Sequence, residues 1–206
     1  MPKVLLASLV VIAALWLLVR WLEPRLAFFP TAGQGLTPAA LAIPFEAASL
    51  RTSDGETLRA WYLPHERPRA LVLYFHGNGG NLSLWLPMLA GLHCQGYAVA
   101  AIDYRGYGLS TGSPSEQGLY RDVDAAVEWA SRLPRTDVPL VFWGRSLGTT
   151  MAAYAATRAR PGGVILESGF PDMPAVITMW SALGSWLTAV PRSWRTASVM
   201  WLRPWM

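Results

Sequence analysis

The sequence predicts an α/β protein with a mostly parallel sheet that is covered by helices on both faces. Three short, continuously apolar runs, at residues 70–75, 97–102 and 163–166, have the composition of strands buried on both faces. Segments with helical patterning separate these runs, and strands that alternate with helices form parallel sheets. The chain has 206 residues, 52% of them hydrophobic, which suits one domain with a substantial core.

Composition excludes several classes of function. The net charge is +4, and the basic residues are scattered with no run typical of nucleic-acid binding. The excess of positive charge favours contact with an anionic membrane surface over contact with nucleic acid. Cys94 is the only cysteine, so the chain has no internal disulfide and no cysteine cluster for a metal. No metal or cofactor is implied.

Residues 4–22 are apolar except for Ser8 and Arg20. This length is close to the roughly 20 residues that cross a bilayer. We therefore expect residues 1–23 to form an uncleaved, single-pass membrane anchor, with basic residues on both flanks and no clear orientation. A signal peptide, cleaved to release a secreted protein, is the alternative. It is disfavoured because the apolar core exceeds about 15 residues and no A-x-A site follows.

Residues 24–44 are rich in glycine, proline and small side chains and are predicted to be a linker, with Phe28 and Phe29 at headgroup level. The predicted core domain, residues 45–170, opens with a hairpin around the Asp54-Gly55 turn signal. Apolar runs predict strands at 45–50, 57–63, 70–75, 97–102, 140–143 and 163–166. Helical patterns predict helices at 82–95, 118–133 and 149–160.

The chemistry centres on residues 144–148, which read Gly-Arg-Ser-Leu-Gly. A predicted strand precedes this G-x-S-x-G and a predicted helix follows it, which is the context of a nucleophile elbow. Ser146 is therefore the candidate nucleophile, although a glycine-flanked loop serine is the plainer interpretation of the motif alone. A serine hydroxyl needs a base to take its proton.

The oxyanion that forms on an attacked carbonyl needs hydrogen-bond donors. One is the backbone N–H of Leu147, at the start of the helix. The second is expected from residues 76–81, His-Gly-Asn-Gly-Gly-Asn, which we call the glycine-rich loop. The N–H of Asn78 or of Gly79 is the candidate there.

The other polar residues near the strand ends have structural interpretations that we favour over catalytic ones. His76 is expected to brace the glycine-rich loop rather than act as base. Asp103 and Arg105 can contact substrate, but a structural pair beneath the site is the preferred interpretation. Glu167 is expected to orient neighbouring loops rather than assist a base. Two further acidic residues, Asp122 and Asp124, are predicted to lie on the exposed face of their helix.

Three motifs occur together in order: the glycine-rich loop, residues 103–110 (Asp-Tyr-Arg-Gly-Tyr-Gly-Leu-Ser) and the G-x-S-x-G. With the apolar N-terminus and the Phe-Phe-Pro of residues 28–30, this combination resembles the membrane-anchored α/β-hydrolase-domain proteins, near the serine aminopeptidase-like hydrolases. The resemblance implies a serine hydrolase of esters, thioesters or amides with acyl or lipid substrates. It assigns Ser146 as nucleophile and the region of Asn78 and Leu147 as oxyanion hole.

The sequence departs from this family after Ser146. In α/β-hydrolases the acid and the histidine follow the serine in the chain, but no histidine follows Ser146 here and Asp172 is the last acidic residue. Residues 171–206 are rich in tryptophan and show no strand alternation. One interpretation is a truncated or frame-shifted product. The other is a native, divergent tail that lies on the membrane or caps the site.

These observations leave two functions open. The first is acyl-ester, thioester or amide hydrolysis through Ser146, impaired because the acid and the base are not identified. The second is a non-catalytic, membrane-bound binding protein that keeps the pocket of a hydrolase without its chemistry. The expected partners are a small-molecule or lipid acyl substrate and the membrane, with no nucleic acid.

Overall fold

The computed structural model describes residues 8–18, 27–134, 137–169 and 199–202. Its main sheet has seven strands in the order β2-β3-β6-β4-β7-β8-β9. The strands are β2 (Glu46–Arg51), β3 (Thr57–Leu63), β4 (Leu71–Phe75), β6 (Ala98–Ile102), β7 (Leu140–Arg145), β8 (Gly163–Glu167) and β9 (Val199–Leu202). Strands β6, β4, β7 and β8 are parallel to their neighbours in this group, while β2, β3 and β9 pair in antiparallel fashion.

Three helices cover the sheet, namely α2 (Leu82–Cys94), α3 (Glu116–Arg132) and α4 (Leu147–Arg158). Asn81 caps α2 by accepting the Ser83 N–H, and Ser115 caps α3 by accepting the Gly118 N–H. The predicted strands and helices are thus all present, with ends displaced by at most a few residues. The predicted hairpin is present as well, with Leu50 paired to Leu58 across the turn.

Alternation of side chains along the buried strands divides the core into two clusters, one on each face of the sheet. One cluster lies under α3 and α4 and includes Leu73, Phe75 and Phe142. The other lies under α2 and includes Val72 and Tyr74. Strand β4 is buried along its whole length, so both of its faces contribute to the core and the carboxyl end of β4 is held firmly beneath the glycine-rich loop.

The central part of the predicted anchor forms a helix, α1, over residues 8–18. Its apolar side chains, such as Leu9, Ile12 and Leu17, are more than half exposed. No helix within the described ranges is both long enough and apolar enough to cross a bilayer. The rest of the predicted anchor, residues 1–7 and 19–23, lies outside those ranges.

The predicted linker is more ordered than its composition suggests. A short 3-10 helix (Pro38–Leu41) buries Pro38. Strand β1 (Phe29–Pro30) pairs in parallel with β5 (Gly79–Gly80) of the glycine-rich loop. Phe28 is partly buried and packs against the core, whereas Phe29 is 61% exposed. That these rings lie at headgroup level stays a prediction.

Residues 171–206 show no strand alternation in the sequence, but they contribute one strand to the sheet. The structure places β9 antiparallel to β8, pairing Val164 with Leu202. The four residues of β9 are apolar and include a valine and a tryptophan, types that favour strands, but the run is too short to show alternation. The rest of residues 171–206, including Asp172, lies outside the described ranges.

Candidate functional site

Ser146 occupies a sharp turn between β7 and α4. Its φ is 52° and its ψ is −117°, a conformation that side-chain-bearing residues rarely adopt and that costs of order 1–3 kcal/mol. The Ser146 N–H donates to the carbonyl of Glu167 at 2.9 Å, and the Ser146 carbonyl accepts from the Thr149 N–H and hydroxyl. Neighbouring elements therefore hold the strained backbone in place.

Both glycines of the G-x-S-x-G are required by contacts with backbone. A Cβ on Gly144 would lie 2.0 Å from the carbonyl oxygen of Gly148, and a Cβ on Gly148 would lie 2.0 Å from the carbonyl oxygen of Phe75. Neither contact can be relieved by a side-chain rotation, because both involve main-chain atoms. The strand, turn and helix thus form the predicted elbow, with α4 packed against the end of β4.

The glycine-rich loop follows β4 directly and is held by aromatic side chains. The Tyr104 hydroxyl donates to the His76 carbonyl at 3.0 Å, and the Trp85 indole N–H donates to the Gly79 carbonyl at 3.0 Å. The Tyr107 hydroxyl lies 2.9 Å from both the carbonyl and the side-chain Oδ1 of Asn78. These contacts fix the backbone of the loop next to the elbow.

The predicted oxyanion donors remain available. Among the described residues, no hydrogen bond uses the backbone N–H of Asn78 or that of Leu147. Gly79 belongs to β5, which pairs with Phe29 of β1. The contact of Gly148 with the end of β4 brings the start of α4 beside the start of the glycine-rich loop. The Asn78 N–H is therefore a candidate second donor beside that of Leu147, and the Gly79 N–H stays the alternative.

His76 is buried and does not serve Ser146. Its Nδ1 lies 2.7 Å from the Gly77 carbonyl, its Nε2 lies 3.6 Å from Asp103 Oδ1, and its ring packs 4.3 Å from that of Tyr104. Burial lowers the pKa of His76 to about 4, so the ring is neutral at pH 7. The ring braces the glycine-rich loop from below.

The two other histidines make their contacts elsewhere. His93 Nε2 lies 2.9 Å from the Pro64 carbonyl, and His65 Nδ1 accepts from the Arg67 N–H. The three histidines are the only ones in the sequence, and among the described residues none is bonded to the Ser146 hydroxyl. The arrangement presents a candidate nucleophile and candidate oxyanion donors without an assigned base.

Asp103 and Arg105 take part in separate buried networks. Asp103 Oδ1 accepts the Leu82 N–H at 2.8 Å, at the start of α2, and burial raises the pKa of this carboxyl to about 7. Arg105 binds Asp122 and Asp54, each at 2.8 Å. Both residues thus hold the loops beneath the site, and neither is placed to contact substrate at Ser146.

The prediction that Asp122 is exposed is wrong. Asp122 is fully buried and accepts from both the backbone N–H and the guanidinium of Arg105. Burial raises the pKa of Asp122, and the Arg105 contacts oppose that shift. Asp124 is only half-buried and pairs with Arg158 at 2.9 Å.

Glu167 lies at the carboxyl end of β8 and holds two neighbours of the elbow. Its carboxylate accepts from Arg145 at 3.3 Å and from the Trp143 indole at 3.3 Å. The Arg145 guanidinium in turn lies 5.5 Å from the centre of the Trp85 ring. Glu167 thus links the elbow to the tryptophan that fixes Gly79. Sequence reasoning missed Trp85, although its place four residues after the cap of α2 is a usable signal.

A groove of about 500 Å³ lies on another part of the molecule. It is lined by Arg51, Arg121, Asp124, Glu128 and Arg158, among other residues, and it includes no residue of the elbow or of the glycine-rich loop. Within the described ranges, no group of three histidine, cysteine or acidic residues is arranged to hold a metal ion.

Comparison with known sequences matches the chain to one family model and to relatives in bacteria and yeast. The family model described as "Serine aminopeptidase, S33" matches residues 66–201. The chain is 35% identical over 182 residues to an uncharacterized protein of Mycobacterium tuberculosis, an alignment that covers 85% of this chain and 63% of that protein. It is 37% identical over 158 residues to an uncharacterized membrane protein of Saccharomyces cerevisiae, covering 72% of this chain and 56% of that one. The chain thus spans about 56% to 63% of these relatives.

Solved structures confirm the predicted fold class. The esterase Pf2001 of Pyrococcus furiosus superposes with a TM-score of 0.61 at 19% identity, covering 81% of this chain and 63% of the esterase. An alpha-beta hydrolase of Vibrio vulnificus superposes with a TM-score of 0.59 at 22% identity, covering 79% of this chain and 71% of that one. At these identities the likeness shows the fold alone, an α/β-hydrolase-type sheet.

Proposed function

The chain belongs to the serine aminopeptidase S33 family of hydrolases, and from that membership and the elbow geometry we propose that it cleaves acyl esters, thioesters or amides with Ser146 as nucleophile. The observation that carries the proposal is the strained turn at Ser146, held by glycines that no other residue can replace. Such strain clusters at functional sites because the surrounding structure must maintain it.

The reaction would proceed by acyl transfer. Ser146 Oγ attacks the acyl carbon, its proton passes to a base, and the carbonyl oxygen becomes an oxyanion that accepts from the N–H groups of Leu147 and Asn78. Collapse of this tetrahedral intermediate expels the alcohol, thiol or amine, which takes the proton back from the base. The acyl-enzyme that remains is hydrolysed by water to the free acid. Each preorganised donor contributes about 2.7–4 kcal/mol to the transition state.

The general base is the incomplete part of this proposal. His76 is neutral and buried, and His65 and His93 bond elsewhere. In an enzyme that lacks one member of a triad, the oxyanion hole and substrate binding alone give about 10³–10⁴-fold acceleration over water. We therefore expect this chain to acylate Ser146 slowly compared with a complete serine hydrolase.

A fluorophosphonate probe and a p-nitrophenyl ester test the proposal. Ser146 should take the label, and Ser146→Ala should lose both the label and the esterase activity while remaining folded. The matched control is Ser168→Ala, since Ser168 lies in a positive-φ turn at the end of the next strand, β8, but outside the elbow. Labelling in Ser146→Ala equal to that of the unmodified chain would refute the assignment.

The second candidate, a membrane-bound binding protein without catalysis, is favoured by the histidine contacts. An intact elbow that takes no label over hours, together with saturable binding of an acyl ligand, would support this alternative. Binding of such a ligand without turnover separates it from the hydrolase, because a hydrolase consumes the ligand.

Membrane association is proposed on three observations. The α1 side chains are apolar and exposed, a yeast relative is named as a membrane protein, and four further large apolar side chains are exposed. These four side chains are Phe29, Leu36, Leu84 and Leu109. The whole chain should remain in the membrane pellet through an alkaline carbonate wash. Release into the supernatant would contradict the proposal.

A further inference from the structure

We propose that residues 27–35, which we call the strap, position the oxyanion donor of Asn78 and so form part of the catalytic apparatus. The inference rests on the proposed function and adds to it a positioning role for a segment whose composition is that of a linker. Side-chain and main-chain hydrogen bonds join the strap to the glycine-rich loop along its length.

The Asn78 side chain is the first point of attachment. Its Nδ2 donates to the Ala27 carbonyl at 2.6 Å, and its Oδ1 accepts from the Phe29 N–H at 3.3 Å and from the Tyr107 hydroxyl at 2.9 Å. Two of these three partners belong to the strap. The peptide whose N–H would bind the oxyanion is thus held through its own side chain by residues about 50 positions earlier.

The Asn81 side chain is the second point of attachment. Its Nδ2 donates to the carbonyls of Thr31 and Gly33, at 3.2 and 3.0 Å, while its Oδ1 accepts the Ser83 N–H and caps α2. One amide therefore joins the strap to the helix that follows the glycine-rich loop. The Gly35 N–H adds a bond to the Ser83 hydroxyl at 3.0 Å.

Main-chain bonds run between these attachments. The Thr31 N–H donates to the Gly80 carbonyl at 2.9 Å, and β1 pairs with β5. On the other side of the strap, the Gly33 N–H donates to the Gly108 carbonyl at 2.8 Å, and the Gly108 N–H donates to the Thr31 carbonyl at 3.0 Å. The strap thus lies as an added strand between the glycine-rich loop and the loop after β6.

This arrangement matters because the loop has few side chains of its own, and the aromatic hydrogen bonds to its backbone reach only the carbonyls of His76, Asn78 and Gly79. Three of the four residues from 77 to 80 are glycines, which carry no side chain to pack. An oxyanion donor acts only within about 2.7–3.1 Å of the developing charge, and a displacement of 1 Å can cost about 10²-fold in rate. The strap supplies, through Asn78 and Gly80, the rigidity that the glycines lack.

The sharpest test is Asn81→Asp in the full chain. Aspartate is as good a helix cap as asparagine, so α2 keeps its N-terminus. However, its carboxylate has no N–H for Thr31 and Gly33 and repels their carbonyls. Ser83→Ala is the second variant and removes the acceptor of the Gly35 N–H. The matched control is Gln117→Glu, which adds the same charge on an exposed first turn of α3, away from the strap.

Two readouts are used for each variant. The first is fluorophosphonate inactivation, resolved into its limiting rate and its half-saturating concentration. The second is amide hydrogen exchange of peptides that cover residues 27–35 and 76–85. We expect Asn81→Asp to lower the limiting rate about 10- to 100-fold at an unchanged half-saturating concentration, and to speed exchange in both peptides. Ser83→Ala should lower the limiting rate and speed exchange by smaller amounts. Gln117→Glu should show the limiting rate and the exchange of the unmodified chain.

The outcomes separate the two proposals. A wild-type limiting rate in Asn81→Asp, when exchange shows the strap released, would overturn the positioning role while leaving Ser146 as nucleophile. If the unmodified chain takes no label at all, the proposed function fails. Amide hydrogen exchange alone then decides whether the strap holds the glycine-rich loop in position. Faster exchange of residues 76–85 in both strap variants would then support a positioned loop, and unchanged exchange would overturn it.

Discussion

Gly144 and Gly148 meet across the elbow so closely that a Cβ on Gly144 would lie 2.0 Å from the Gly148 carbonyl oxygen. The first turn of α4 therefore crosses directly over the end of β7, with no room for a side chain between them. This close contact also fixes the backbone conformation of Ser146, which lies between the two glycines.

Gly144→Ala should consequently damage the fold and the site together. The added methyl meets main-chain atoms that cannot rotate away, so we expect a loss of about 3 kcal/mol or more in the free energy of unfolding. Gly163→Ala is the control, because a Cβ there meets only the Val141 side chain at 4.0 Å. Thermal unfolding in detergent, followed by circular dichroism, compares the two. Equal melting temperatures would contradict the close contact.

Ser146→Gly should be more stable than Ser146→Ala. Both variants lack the hydroxyl, but alanine must adopt the φ of 52°, which costs of order 1–3 kcal/mol, whereas glycine adopts it freely. Glycine also loses more chain entropy on folding, so the expected net difference is about 1 kcal/mol. Chemical denaturation of both variants under one condition measures this difference. A less stable glycine variant would show that the turn is not strained.

The sheet was predictable because burial leaves a direct trace in the sequence. Strand β4 is apolar at every position because both of its faces are covered, and the hairpin of β2 and β3 carries its turn residues. The elbow was predictable for a similar reason, since a strand and a helix flank its motif. In each case the signal is local and lies within about ten residues.

The strap was not predictable, because its bonds join residues about 50 positions apart. Asn78 and Asn81 look like ordinary turn residues, and their partners are backbone carbonyls that every residue carries. The burial of Asp122 was missed for a related reason. Its partner Arg105 lies 17 positions earlier, and a charged residue within an amphipathic helix is normally solvated.

Asp122→Asn should destabilise the protein far more than Asp124→Asn, although the two residues lie on the same helix. Asp122 is fully buried against Arg105, and weakening a buried pair leaves a guanidinium without full compensation, at a cost of about 3–5 kcal/mol when one partner is removed. Asp54 retains part of the pairing, so we expect about 2–3 kcal/mol. Asp124 makes a surface pair with Arg158, which contributes about 0.2–1 kcal/mol. Urea unfolding in detergent measures both variants, and similar midpoints would refute the buried network.

Asp103 should contribute a fall in the stability of the wild-type protein as the pH rises from about 4 to 7, and Asp103→Asn should remove that contribution. Burial raises the pKa of Asp103 from 3.8 to about 7, with the nearby charge of Arg59 opposing the shift. The folded state therefore holds a proton between pH 4 and 7 that the unfolded state has released. This contribution is complete below about pH 4 and is lost as the pH rises through 7, with a slope of at most about 1.4 kcal/mol per pH unit.

Asparagine still accepts the Leu82 N–H but carries no titrating proton, so the variant should lack this slope. His76 acts in the opposite direction: its pKa is lowered from 6.5 to about 4, so its contribution is present above pH 6.5 and lost as the pH falls through 4. Between pH 4 and 6.5 these two opposite slopes nearly cancel in the wild-type protein. The stability of Asp103→Asn should therefore rise with pH over this range, where that of the wild type stays nearly level. Urea midpoints at pH 5, 6, 7 and 8 measure it, with Glu128→Gln as a surface control. A stability profile of Asp103→Asn that runs parallel to that of the wild type from pH 5 to 7 would show that Asp103 is ionised in the folded protein throughout this range.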